Sequence, residues 1–90
     1  MLFMVIEHFE PGRVKDIYQR FSERGRMAPE GLTYVDSWIE AGFGRCFQLM
    51  ECDDIALLQD WVLQWEDLVR FEIVPVLQSK GVGTLVQKHL

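Results

Sequence analysis

LFMVIEHFEPGRVKDIYQRF, residues 2–21, decides the fold class, because its hydrophobic period changes once along its length. Leu2 to Phe9 is rich in Phe, Val and Ile and ends at Pro11-Gly12, which reads as a strand followed by a turn. Beyond that turn Val14, Ile17, Tyr18 and Phe21 fall at i, i+3, i+4 and i+7, one apolar stripe on a helix. Lys15, Asp16, Gln19, Arg20 and Glu23 take the other face, and Gly25 is the expected stop.

The same two patterns return further along. Arg26 to Gly31 reads as a loop, marked by Pro29 and Gly31. Leu32 to Glu40 and Arg45 to Cys52 read as strands joined by a hairpin turn at Gly42 and Gly44. Asp53-Asp54 is a helix-start signal, since a side-chain oxygen can satisfy free amides and negative charge suits the positive helix end. Leu58, Trp61, Val62 and Trp65 repeat the apolar stripe, and Val69 to Leu77 reads as a fourth strand. The order is β-α-β-β-α-β, the split βαβ motif. The predicted class is α+β and ferredoxin-like, an antiparallel four-stranded sheet with right-handed crossovers that place two helices on one face. Residues 1–78 form that domain. Residues 79–90 are a C-terminal tail, in which Val82, Leu85 and Val86 suggest one short helix against a neighbour.

Composition narrows the setting. Ninety residues make one domain, and 49% of them are hydrophobic. That is more apolar material than one small core easily hides, so a second copy is expected. A net charge of -5 without a basic patch argues against a nucleic-acid partner. Met1 to Phe9 is too short to span a membrane and lacks a cleavable leader, so a cytoplasmic protein without a membrane partner is expected. Cys46 and Cys52 lie six residues apart on one strand, too far for a disulfide, and read as reduced packing residues.

With both helices on one side, the other side of the sheet is bare. Packing two sheets face to face covers it and yields a dimeric α/β barrel. Strand side chains alternate, so each strand offers two sets. The more uniformly apolar set goes to the helices: Met4 and Ile6, Val35 and Ile39, Phe47 and Leu49, Phe71 and Ile73. The opposite set mixes aromatic and polar groups: Phe3, Val5, Glu7 and Phe9; Tyr34, Asp36 and Trp38; Cys46, Gln48 and Met50; Glu72, Val74 and Val76. A small-molecule pocket has that composition, and so has a wet dimer interface. From this second set come the candidate ligand-binding residues Glu7, Tyr34, Asp36, Trp38, Gln48 and Glu72.

No catalytic constellation is legible. Glu7 and His8 are adjacent on a strand and point to opposite faces, so they do not share a site. His8 is of a residue type suited to general-base work near neutral pH, but reads first as a strand-end histidine near the surface. Glu7, Asp36, Gln48 and Glu72 would converge on the enclosed face and there exchange protons, or pair with Arg45 or Arg70 across a dimer; the structural pairing is the commoner outcome. With only His8 and His89, and no CxxC or HxxxH spacing, no metal site and no cofactor is expected. Cys46 would need an activating base to act as a nucleophile, and a buried thiol is the commoner case. Trp61 and Trp65 read as core packing rather than a platform for a planar ligand. Arg24 and Arg26 flank Gly25 and read as solvated loop arginines before an anion clamp.

The segments MLFMVIEHFEPG, RFSERGRMAPEGLTYVDSW, RCFQLMECDD and DLVRFEIVPV, in that order, resemble the bacterial domain-of-unknown-function family three-three-zero-three, placed in the dimeric α/β-barrel superfamily. The resemblance covers Met1 to about Leu77 and leaves out the tail. It implies the barrel fold and a homodimer, and it carries no activity or catalytic residue. The wider superfamily includes cofactor-free monooxygenases, muconolactone-isomerase-type enzymes, haem-handling proteins and stress-responsive barrels, which resemble this chain in architecture alone. Three readings follow. The first is a homodimeric barrel binding a small, partly apolar organic ligand between sheet faces or in the barrel opening. The second is a structural or protein-interaction module whose bare face serves to dimerise. The third is a cofactor-free monooxygenase or isomerase.

Overall fold

The computed structural model describes residues 1–90. The elements run β1 (Leu2–Phe9), α1 (Val14–Arg24), β2 (Thr33–Ile39), β3 (Arg45–Glu51), α2 (Ala56–Leu63), β4 (Val69–Val76) and α3 (Val82–Gln87). The change of period after Pro11-Gly12 falls where expected. α1 stops at Gly25, whose φ of 70° suits glycine and whose amide returns to the Phe21 carbonyl at 2.8 Å. Asp54 accepts from the Ala56 amide at 3.0 Å at the start of α2. That helix ends at Leu63, so Trp65 sits in the turn beyond it.

The strands form one antiparallel sheet in the order β2-β3-β1-β4. This is the ferredoxin-like α+β arrangement, with α3 as an added short helix. The core lies between the sheet and one helical layer: Phe3, Val5, Met50 and Val69 meet Ile17 of α1 and Leu58, Trp61 and Trp65 in and after α2. Arg20 of α1 clasps the segment after α2, with both terminal nitrogens on Asp67 at 2.8 and 2.6 Å and its guanidinium over Trp65.

The expected division of the sheet faces is overturned on two strands. Phe3, Val5 and Glu7 of β1, with Gln48 and Met50 of β3, are the buried residues beneath the helices. Met4 and Ile6 pair with Leu49 and Phe47 on the outer face, where all four stay only partly covered. β4 follows the expectation, with Phe71 and Ile73 packed against the core. β2 is split. A bulge between Tyr34 and Asp36 adds one residue, so Tyr34 opposes Met50 on the helix side while Asp36 and Trp38 oppose Leu49 and Phe47 outside. Two causes combine. Both faces of β1 are apolar, so alternation cannot choose between them. The helix-covered face also tolerates polar groups, because Glu7 and Gln48 satisfy one another there.

The result is a thin slab. Its shortest extent is 17 Å, one sheet and one helical layer, and its radius of gyration is 15.2 Å. A compact chain of this length would have a radius of about 12 Å. Only 13 residues are buried, and α3 buries none of its own.

Candidate functional site

Between the sheet and α1 lies a cavity of about 260 Å³. Phe9, Ile17, Tyr18, Phe21, Trp61 and Trp65 supply apolar walls. Glu7, Arg26, Ser37, Cys46 and Gln48 supply the polar groups. An apolar lining with a few placed polar groups is the composition of a small-molecule site. The sequence pattern explains its origin. The α1 stripe must cover the sheet, but Tyr18 and Phe21 remain partly open, so the helix roofs the cavity without filling it.

The polar groups are linked. Gln48 donates its amide N–H to Glu7 Oε1 and accepts from Arg26 Nε at 2.9 Å. One amide thus joins a buried acid to a cation, which fixes its own orientation. Arg26 is held from three further sides. Its guanidinium lies 3.7 Å from the Tyr34 ring centre and 5.2 Å from that of Phe21. Its carbonyl accepts the indole N–H groups of Trp61 and Trp65, each at 2.9 Å. Met27, the next residue, has a left-handed φ of 60° and packs against the core. A non-glycine residue there costs on the order of 1–3 kcal/mol, offset by the contacts that hold the loop in place.

Burial raises the Glu7 carboxyl above its ordinary range, partly opposed by the Gln48 hydrogen bond, the neighbouring Cys46 thiol and the Arg26 charge. Cys46, opposite Glu7 across the β1–β3 pair, has its thiol pushed up to about 12, first by burial and then by Glu7. A thiol raised that far stays protonated near neutral pH, and the protonated form is a poor nucleophile. Burial also raises the Tyr18 phenol. Every buried side-chain nitrogen and oxygen has a partner.

The six residues expected to line a site divide between the two faces. Glu7 and Gln48 meet on the cavity wall. Tyr34 is on the same side of the sheet, stacked on Arg26, with its hydroxyl 2.7 Å from Ser37 Oγ. Asp36, Trp38 and Glu72 face outward. The expected convergence of Glu7, Asp36, Gln48 and Glu72 therefore fails, since the first and third are separated from the others by the sheet. Glu72 instead pairs with His8 on the outer face. Arg26, which beside Gly25 reads first as a solvated loop arginine and only second as an anion clamp, instead stands on the cavity wall. The two tryptophans are core residues, as expected, and also line the cavity.

A family profile described as a domain of unknown function, DUF3303, matches residues 1–90. The chain belongs to this family. The match extends through the C-terminal tail, which the resemblance had left outside. No curated protein and no solved structure matches the chain significantly. No group of three or more His, Cys, Asp or Glu side chains comes together in a metal-holding cluster, and no helix is long and apolar enough to cross a membrane.

Proposed function

We propose that the protein is a homodimer whose protomers each bind a small, partly apolar organic molecule between the sheet and α1. The observation that carries the ligand reading is the linked Glu7–Gln48–Arg26 group on the wall of an otherwise aromatic cavity. A cavity of about 150 Å³ holds a single benzene ring. One of 260 Å³ suits a ring bearing a short polar chain.

The dimer reading rests on the outer sheet face. Met4, Ile6, Trp38, Phe47, Leu49 and Val74 form its apolar centre, and Trp38 is 52% exposed. Covering a large apolar side chain contributes up to about 1.5–3 kcal/mol. At one end of this face stand His8 with Glu72 and Arg45 with Glu40, so both signs of charge are available to a two-fold-related copy. A second copy also offers α3 a surface for Val82, Leu85 and Val86, all exposed in the single chain.

Native mass spectrometry after incubation with millimolar acetophenone tests both parts. The expected spectrum is a dimer carrying up to one non-covalent adduct per protomer, lost on denaturation. A bare monomer under the same conditions contradicts both parts.

A further inference from the structure

The strongest clue to the ligand's chemical class is a cation without a counterion. Arg26 lines the cavity, yet no carboxylate lies within salt-bridge distance of it. Its Nε is committed to a neutral acceptor, Gln48 Oε1. Its two terminal nitrogens have no hydrogen-bond partner in the chain, whereas those of Arg20 are both used by Asp67. The side chain is nonetheless fixed. Tyr34 and Phe21 hold the guanidinium plane, and two indoles hold the backbone carbonyl. An oriented guanidinium with free terminal N–H groups matches the paired oxygens of a carboxylate. The walls around it are aromatic, and they favour a ring over a flexible chain.

Resting on the cavity reading above, we infer that the site takes a small aromatic monocarboxylate, with its oxygens on the terminal nitrogens of Arg26 and its ring against Phe9, Tyr18 and the edge of Trp65. Burial supports this charge preference, because it disfavours the ionised form of Glu7, the only acidic residue on the lining.

Isothermal titration of the full chain with three near-isosteric probes separates the outcomes. Phenylacetate is the anion, phenylacetamide the neutral analogue and 2-phenylethylamine the cation. The expected result is phenylacetate binding at least about tenfold tighter than phenylacetamide, with the amine weakest. The Arg26→Gln variant should bring phenylacetate to within about twofold of phenylacetamide, since the charge-assisted contact is gone. Phenylacetamide or the amine binding as well as phenylacetate overturns the inference and leaves the cavity reading standing. Failure of all three to bind at millimolar concentration overturns the cavity reading and the inference with it. The wild-type comparison decides the matter even if the variant does not fold.

Discussion

Gln48 accepts a hydrogen bond from Arg26 Nε at 2.9 Å while donating to Glu7, and this single amide couples the loop after α1 to the centre of the sheet. It stands on β3, opposite Val5. Both of its polar ends are used, and the residue is buried. Replacing it removes a partner from an acid and from a cation at once.

The Gln48→Leu variant should therefore lose about 1–3 kcal/mol of stability, the cost of stranding buried polar groups. Urea unfolding followed by tryptophan fluorescence measures it. An unchanged midpoint would mean that water replaces the amide at no cost.

Glu7 gives the stability a pH dependence of definite sign. Burial raises its carboxyl in the folded chain above the ordinary value of 4.5. The fold thus favours the protonated form. That stabilisation is complete below the ordinary glutamate range and is lost as the pH rises through the raised folded value. Glu7→Gln cannot ionise and escapes the loss. Its melting temperature relative to wild type should rise between pH 4 and pH 8. A difference that is flat with pH would show that Glu7 titrates normally.

Much of this fold is legible in the sequence, and the reason is local. The LFMVIEHF run, the stripe from Val14 to Phe21 and the glycines at 25, 42 and 44 each act over a few residues. Turn chemistry and periodicity therefore place them correctly. The faces were not legible on β1 and β3. Met4 and Ile6 are as apolar as Phe3 and Val5, so nothing local distinguishes the covered side. The bulge in β2 reverses the alternation after Tyr34 without any Gly or Pro to announce it. Arg26 reads first as a solvated loop residue for a different reason. Its importance comes from Gln48 and two tryptophans, which lie 22, 35 and 39 residues away.

Cys46 should react slowly with thiol reagents. With its thiol pushed up to about 12, the thiolate fraction at pH 8 falls at least roughly a hundredfold below that of an ordinary cysteine. Cys52 is buried and adds little. Ellman's reagent should release colour slowly from the native protein and promptly from the unfolded one. Rapid reaction of one thiol in the native state would mean that Glu7 and the cavity wall leave Cys46 ionised.

Trp38→Arg tests the outer face. The side chain is half-exposed in the single chain, so the fold should survive the change, whereas a sheet-to-sheet contact would bury an unpaired charge. Sedimentation velocity should show a wild-type dimer and a monomeric variant at micromolar concentration. A wild-type monomer would contradict the dimer directly.

The chain's three tryptophans offer the most direct test of the cavity itself. Trp61 and Trp65 line it and donate their indole N–H groups to Arg26, while Trp38 stands on the opposite face of the sheet. A proton–nitrogen correlation spectrum resolves all three indole signals during a titration with phenylacetate. The predicted result is movement of the Trp61 and Trp65 signals with that of Trp38 unchanged. Movement of Trp38 alone, or of none of the three, would contradict a ligand site between the sheet and the helices.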